Sequence, residues 1–161
     1  MAPENGPGYR FAGKVALITG ASRGIGLAVA TRIVAEGGQV LVTARKPEAL
    51  RTAVTLLGAA NADFVAGRAD DPAHQQEVFA AVKGRYGRLD VLVNNAGINP
   101  AYGSLSELDD GAARKIMDVN VLAALSWSRR AVDAGLGAAA DEATGGGAIV
   151  NISSVAGHAP A

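Results

Sequence analysis

The 161-residue sequence predicts an α/β domain built on a doubly wound parallel sheet. Short apolar runs rich in β-branched residues alternate with longer segments of helical periodicity, which is the order that βαβ units produce. The segments between the runs are long enough for the right-handed helical crossovers that join parallel strands. Glycine contributes 21 residues, well above the ~7% of average proteins, which indicates many tight turns. We expect the strand order 3-2-1-4-5.

Five segments have the composition of strands. They are short, and Gly, Asn or Pro residues interrupt the sequence near their ends. The first is a continuous apolar run, which is typical of a strand buried on both faces of a sheet. The predicted strands are residues 14–19, 40–43, 64–66, 89–93 and 148–152.

Four segments have helical periodicity, over residues 24–36, 47–57, 72–86 and 110–134. A Gly37-Gly38 pair ends the first, and Pro residues open the second and third, as helices allow at their start. We expect Trp127 to pack in the core. The residues expected to face inward are Ile25, Val29 and Ile33 in the first helix, Val78, Val82 and Tyr86 in the third, and Ile116, Met117, Val121, Leu125 and Val132 in the last.

Charge and composition exclude several classes of protein. Fifteen basic and fifteen acidic residues give zero net charge, which argues against a nucleic-acid partner. Cysteine is absent, and the two histidines have no metal-ligand spacing, so we expect no metal and a His74 that is either solvated or at a helix end. No segment approaches the ~20 apolar residues of a membrane span. We expect a cytoplasmic protein without a membrane partner, in which a flexible leader (1–13) precedes one domain (14–161).

A glycine-rich loop with the spacing G-x-x-x-G-x-G follows the first predicted strand and precedes a helix. Glycine permits the turn, the close approach of a pyrophosphate and tight helix–sheet packing, and the helix N-terminus attracts an anion. A tight strand-to-helix turn without a ligand has the same composition. The loop predicts a phosphate site formed by Gly20, Ser22, Arg23, Gly24, Ile25 and Gly26.

Four motifs lie in register along the chain: Thr19-Gly20-x-x-x-Gly24-x-Gly26, Asn94-Asn95-Ala96-Gly97, Asn120, and Ile152-Ser153-Ser154-Val155-Ala156-Gly157. In this order and spacing the sequence resembles the short-chain dehydrogenase/reductase family, in particular its ketoacyl reductases, from about residue 14 onwards. The resemblance implies a Rossmann-type fold and hydride transfer between a nicotinamide cofactor and a small-molecule carbonyl or secondary alcohol. It also implies a homo-oligomer for the full-length protein.

The resemblance assigns roles to residues of the later motifs. It implies that Asn94, Ala96 and Gly97 line the cofactor, and that Asn95 ties the central strands together. Ser154 matches the catalytic serine, whose hydroxyl hydrogen-bonds the substrate carbonyl. Asn120 matches the asparagine at a local helix kink, whose main-chain carbonyl holds a water in a proton relay; the alternative is a buried asparagine with a structural role.

The residues after the second predicted strand favour NADP(H) as the cofactor. An acidic residue there binds the ribose 2′-hydroxyl of NAD, whereas a basic one accepts the 2′-phosphate of NADP. Ala44 holds the usual acidic position and Arg45 follows it. We expect Arg45 and Arg23 to bind the phosphate through charge-assisted hydrogen bonds, the alternative being two solvated charges.

The resemblance also implies an Asp that contacts the adenine after the third strand, and Arg68 occupies that position. Asp70 or Asp71 would then substitute for it, or Asp71 is an N-cap before Pro72. We favour the N-cap.

The Tyr-x-x-x-Lys pair that the resemblance implies downstream of Ser154 is absent from these 161 residues. Neither Tyr9, Tyr86 nor Tyr102 has a lysine four residues later. We expect the chain to be the N-terminal two-thirds of a reductase, truncated after its fifth strand and inactive alone. The alternatives are a non-catalytic NADP-binding module or subunit partner, and a remnant that does not fold stably.

Overall fold

A computed structural model describes residues 9–100, 103–138 and 146–154 of the chain. Five strands form one sheet in the order β3-β2-β1-β4-β5, and every neighbouring pair is parallel. The predicted architecture and strand order are therefore confirmed. The strands are β1 (Val15–Thr19), β2 (Gln39–Ala44), β3 (Ala62–Ala66), β4 (Val91–Asn94) and β5 (Ala148–Asn151).

The helices follow the strands as crossovers. They are α1 (Gly24–Ala35), α2 (Pro47–Leu57), α3 (Pro72–Tyr86), α4 (Asp110–Met117) and α5 (Ala123–Asp133), with a short 3₁₀ turn at Leu105–Glu107. A π-helical turn over Asp118–Leu122 separates α4 from α5, so the long helix expected over 110–134 is interrupted at Asn120. Within the described ranges, none of the helices has the length and apolar character needed to cross a bilayer.

Two apolar layers cover the sheet, one on each face. Alternate residues of β1, such as Ile18 and Leu17, belong to opposite layers, because successive side chains of a strand point to opposite faces. The first layer packs against α1 and α2, and the second packs against α3 and α5. All five residues of β1 are buried, as predicted for a central strand.

The buried face of α5 differs from the one predicted. Trp127 is buried as expected, but it lies with Ala123 and Ala131 on a face rich in small residues, and Val119 in the π-helical turn is buried as well. The small residues let the helix backbone approach the sheet closely, while the indole fills the remaining space. Of the residues expected to face inward, Met117, Val121, Leu125 and Val132 are instead exposed, and Ile116 is half-buried.

The same effect changes the predicted stripe of α1. Ile25 is 62% exposed, whereas Gly26, Ala30 and Ile33 form the buried face. A glycine and an alanine at the contact allow α1 to lie close to β1, which large aliphatic side chains would prevent.

Residues 9–13 pack against the turn between α1 and β2. The Phe11 N–H donates to the Glu36 carbonyl at 3.1 Å, and the Phe11 ring contacts the first apolar layer. The Arg10 guanidinium binds the Glu36 carboxylate at 2.5 and 2.6 Å. Of the segment predicted as a leader, residues 1–8 fall outside the described residues.

A buried valine and an exposed valine of the segment from α4 to α5 should differ in how far replacement by alanine lowers the free energy of unfolding. Val119→Ala removes two methyl groups from a site that is 7% exposed and should lower the free energy of unfolding by about 2 kcal/mol. Val132→Ala, at a site that is 63% exposed, should change it by less than about 0.5 kcal/mol. Urea unfolding followed by tryptophan fluorescence measures both; an equal loss would contradict the assignment of the buried face.

Candidate functional site

The turn from β1 into α1 is an elbow that requires glycine at defined places. Gly20 has a φ of +67° directly after the strand, a conformation that side chains disfavour. A Cβ at position 26 would lie 2.5 Å from the Asn95 Nδ2 atom and 2.9 Å from the Gly20 carbonyl oxygen. The first turn of α1 therefore packs directly on the elbow backbone and on the Asn95 side chain, which leaves no space for a Cβ at position 26.

Thr19 and Asn95 join the ends of β1 and β4. The Thr19 hydroxyl oxygen accepts hydrogen bonds from the Asn95 and Ala96 backbone N–H groups, both at 3.0 Å. The Asn95 side-chain amide donates in return to the carbonyl oxygens of Thr19 (2.9 Å) and Gly20 (3.1 Å). This contact holds the glycine elbow against the neighbouring strand, which is the tie expected of Asn95.

A cleft of about 930 Å³ opens above the carboxyl ends of the strands. Open α/β sheets bind ligands at this edge, and the volume lies in the usual range of small-molecule sites. The cleft is lined by the elbow, by the loops that follow β2, β3 and β4, and by Lys115 of α4 and Val119 of the π-helical turn. The predicted residues that line it are Gly20, Ser22, Arg23, Arg45, Ala96 and Gly97.

Four of the predicted cofactor residues do not line this cleft. Gly24, Ile25 and Gly26 lie in the first turn of α1 behind the elbow, with Gly26 buried against Asn95. Asn94 is also buried, and its side-chain amide donates to Asn151 Oδ1 at 2.9 Å and to Ser128 Oγ at 3.0 Å. Asn94 therefore ties β4 to β5 and α5.

Cationic side chains dominate the lining of the cleft. They are Arg23, Arg45, Lys46, Arg68 and Lys115. Asp70 is the one carboxylate among the described lining residues. Such an excess of positive charge in a concave site concentrates the field and attracts anions.

Asp70 is already engaged by two of these cations. Its carboxylate accepts hydrogen bonds from Arg68 Nη2 at 3.2 Å and from the Lys115 ammonium. Partial burial disfavours the charged carboxylate, but these two cations outweigh that effect and hold the pKa of Asp70 at about 2. Arg23, Arg45 and Lys46 form no ion pair with any residue that the structure describes.

A second cavity, of about 400 Å³, adjoins the cleft and shares Ala96 with it. Asn120, Asn151 and Ser153 supply part of its polar lining. The Asn120 side chain is exposed and grips the Ile98 backbone, accepting from its N–H and donating to its carbonyl, both at 2.8 Å. Ser154 lies one residue beyond Ser153 and lines neither cavity. The alternative of a buried Asn120 is therefore wrong, whereas the helix irregularity that the resemblance implies is present.

Of the two alternatives expected for His74, a solvated side chain is wrong and a place at a helix end is confirmed, because His74 lies in the first turn of α3. His74 is 4% exposed, and its Nε2 atom lies 2.7 Å from the Thr43 hydroxyl oxygen. A Cβ at position 67 would come within 2.2 Å of its Nδ1 atom, so only glycine fits there. Thr43 and Gly67 both line the cleft, and the buried imidazole contacts both residues. A glycine directly after β3 is the sequence signal that could have indicated this contact.

Other local predictions at this edge hold. The Asp71 carboxylate accepts a hydrogen bond from the Ala73 N–H at 2.9 Å and is the N-cap of α3. Trp127 meets the His74 ring edge to face, with 6.0 Å between their centroids.

Burial lowers the pKa of His74, although the nearby carboxylates of Glu77 and Asp71 raise it.

A parallel sheet in the order 3-2-1-4-5, with a glycine elbow after β1 and a cleft at the carboxyl ends of the strands, defines a Rossmann-type α/β protein. The family model described as short chain dehydrogenase matches residues 14–161. The chain belongs to the short-chain dehydrogenase/reductase family.

Two curated relatives illustrate the similarity. The chain is 34% identical over 155 residues to the human dehydrogenase/reductase SDR family member 4, an alignment that covers 93% of this chain and 52% of the relative. It is 36% identical over 150 residues to a 3beta-hydroxysteroid dehydrogenase of Mediterraneibacter gnavus, covering 92% and 52%. The chain thus spans about half the length of the curated relatives it matches.

Two solved structures share the fold. A short-chain dehydrogenase/reductase of Brucella melitensis superimposes with a TM-score of 0.84 at 26% identity, covering 95% of this chain and 61% of the other. A variant of actinorhodin polyketide ketoreductase with NADPH gives a TM-score of 0.81 at 37% identity, covering 92% and 56%.

The buried His74 predicts a pH-dependent stability. Its pKa lies below the ordinary 6.5 in the folded chain, so the unfolded chain takes up the proton first as the pH falls. The stability is full above about pH 6.5 and decreases below it, by at most about 1.4 kcal/mol per pH unit. His74→Gln should flatten this part of the profile of unfolding free energy against pH, whereas Thr43→Val should retain it. Identical profiles for the wild-type chain and His74→Gln would contradict the assignment.

Proposed function

We propose that the protein is an NADP(H)-dependent oxidoreductase that transfers hydride between the nicotinamide and a small-molecule carbonyl or secondary alcohol. The observation that supports it best is the cleft with five cationic side chains above the glycine elbow. The NADPH-bound ketoreductase among the similar structures is consistent with this cofactor.

The residues of the cleft fit a dinucleotide phosphate by their chemistry. Arg45 and Arg23 carry guanidinium groups that suit the 2′-phosphate, and no carboxylate follows β2 directly to repel it. The backbone from Gly20 to Gly26 would hold the pyrophosphate, where close packing against Asn95 leaves no room for side chains at Gly20 and Gly26. Ala96 and Gly97 would border the nicotinamide end. When bound, the cofactor supplies or accepts the hydride.

Asn120 and Ser154 are proposed to act next to the cofactor. Asn120 fixes the loop after β4 through its two hydrogen bonds to Ile98, and its main-chain carbonyl would hold a water of the proton relay. Ser154 would donate a hydrogen bond to the substrate oxygen as negative charge develops there. It follows Ser153, which lines the second cavity, so that cavity is the proposed place of the substrate.

The 161 residues alone are proposed to bind NADP(H) without turning over substrate. No tyrosine in them has a lysine four residues later. Loss of a positioned proton donor costs roughly 10²- to 10⁴-fold in rate. The alternative is a non-catalytic NADP-binding module that partners a related subunit.

A homo-oligomer is proposed for the longer protein. The exposed apolar side chains of Met117, Leu125 and Val132 support it, because exposed apolar surface is typical of contact surfaces.

Titration of the purified chain with NADPH separates these possibilities. We expect the melting temperature to rise with NADPH concentration, since a ligand that binds only the folded state stabilises it. We expect no ketone-dependent loss of the absorbance of reduced nicotinamide. Turnover would show that another residue replaces the missing tyrosine. Absence of both signals, with aggregation, would favour a remnant that does not fold stably.

Arg45→Asp should shift the preference from NADPH towards NADH. The substitution removes a donor to the 2′-phosphate and places a repelling carboxylate beside it. The ratio of the two dissociation constants, measured by nicotinamide fluorescence, should change by at least about tenfold. Arg129→Asp is the control for long-range electrostatics, because Arg129 is an exposed residue of α5 and the substitution reverses the same charge away from the cleft. An unchanged ratio in Arg45→Asp would refute the role of Arg45.

A further inference from the structure

The loops that follow β2 and β3 begin side by side at the rim of the cleft. Ala44 and Ala66 are paired in register at the ends of these strands, and the Gly67 N–H donates to the Ala44 carbonyl at 3.0 Å. Arg45 follows Ala44, and Arg68 follows Gly67. Because neighbouring strands lie ~4.8 Å apart, the two arginines start from adjacent points of the rim, and both line the cleft.

Arg68 keeps donors available for a ligand. Its guanidinium binds the Asp70 carboxylate through Nε (3.4 Å) and Nη2 (3.2 Å), whereas its Nη1 atom makes no hydrogen bond within the described residues. The side chain is 59% exposed. Since a guanidinium carries five N–H donors, the contact with Asp70 orients Arg68 without exhausting it.

The side of the cleft formed by Arg68, Asp70 and Lys115 presents hydrogen-bond donors, whereas its one carboxylate is the main side-chain acceptor. Asp70 is the one described carboxylate in the lining, and both of its oxygens already accept bonds from Arg68 or Lys115. The adenine amino group is a donor, and the one described carboxylate that it could meet here is already paired with two cations. A phosphate, whose oxygens only accept, matches this side of the cleft and adds the charge attraction.

We propose that Arg68 is a specificity-determining residue of the cleft and binds the adenosine 2′-phosphate of the cofactor from the β3 side, beside Arg45. This inference rests on the proposed NADP(H) function. It assigns the loop after β3 to phosphate recognition, with Asp70 as the positioning residue that holds the guanidinium in the cleft.

Arg68→Ala tests the proposal in the full 161-residue chain. Dissociation constants for NADPH and NADH are measured by nicotinamide fluorescence. We expect the constant for NADPH to rise roughly 10- to 100-fold, as for loss of a hydrogen bond to a charged group, while that for NADH changes less than about threefold. Arg68→Lys should recover part of the NADPH affinity, because an ammonium keeps the charge but not the planar fork.

Arg51→Ala is the matched control, because Arg51 is also exposed and also pairs with a carboxylate, that of Glu48 on α2, away from the cleft. It should leave both constants unchanged. Equal weakening of NADPH and NADH in Arg68→Ala would place the guanidinium on the base or the pyrophosphate and overturn the proposal. Unchanged constants would show a solvated charge and overturn it as well. A wild-type chain that binds neither nucleotide would refute the proposed function itself, which is a different result from a selective failure of Arg68→Ala.

Discussion

The contact between the glycine elbow and Asn95 is the constraint on which the rest of the site depends. Asn95 donates to the backbone carbonyls of Thr19 and Gly20, and Gly26 leaves just enough room for its amide. These bonds fix the end of β1 against the end of β4, although the two strands come from distant parts of the chain. The contact thereby positions Gly20, Ser22 and Arg23, which line the cleft immediately before α1.

Electrostatics then gives the cleft its character. The chain as a whole has no net charge, yet five cationic side chains line one cavity. Asp70 reduces this excess of positive charge only in part, and its carboxylate oxygens accept hydrogen bonds from Arg68 and Lys115. An overall balance of charge therefore coexists with a strongly asymmetric local field, which is the property that matters for an anionic ligand.

Most of the fold follows from local patterns that the sequence displays. The buried run of β1, the prolines that open α2 and α3, and the Asp71 cap act within a few residues of their own position, and the structure has each of them. The glycine elbow is equally recognisable in the sequence, from the spacing of Gly20, Gly24 and Gly26.

The misplaced residues depend instead on contacts across the sheet. α5 carries apolar residues on two faces, and only packing decides that the alanine face meets the sheet. Apart from Gly67, the sequence near His74 does not indicate burial, because the rest of its environment comes from Thr43 and Trp127, which lie far from it in sequence. The cluster of cationic side chains in the cleft likewise depends on the contact of Lys115 in α4 with the loop after β3, and sequence periodicity does not reveal that contact.

The π-helical turn has a consequence for the loop that carries Arg68. Lys115 of α4 binds Asp70, and the Trp127 indole N–H of α5 donates to the Ala69 carbonyl at 3.0 Å. Twelve residues separate Lys115 from Trp127 in the sequence. At about 100° per residue they would point about 120° apart on a regular α-helix. The wide turn absorbs one residue and brings the two side chains into rotational phase. The helical segment from α4 to α5 thereby contacts two successive residues of the loop after β3, Ala69 and Asp70. Deleting a single residue of the π-helical turn would leave a regular α-helix with the two side chains about 20° apart, so both contacts would be kept. A regular helix that retained all twelve steps would lose one of them.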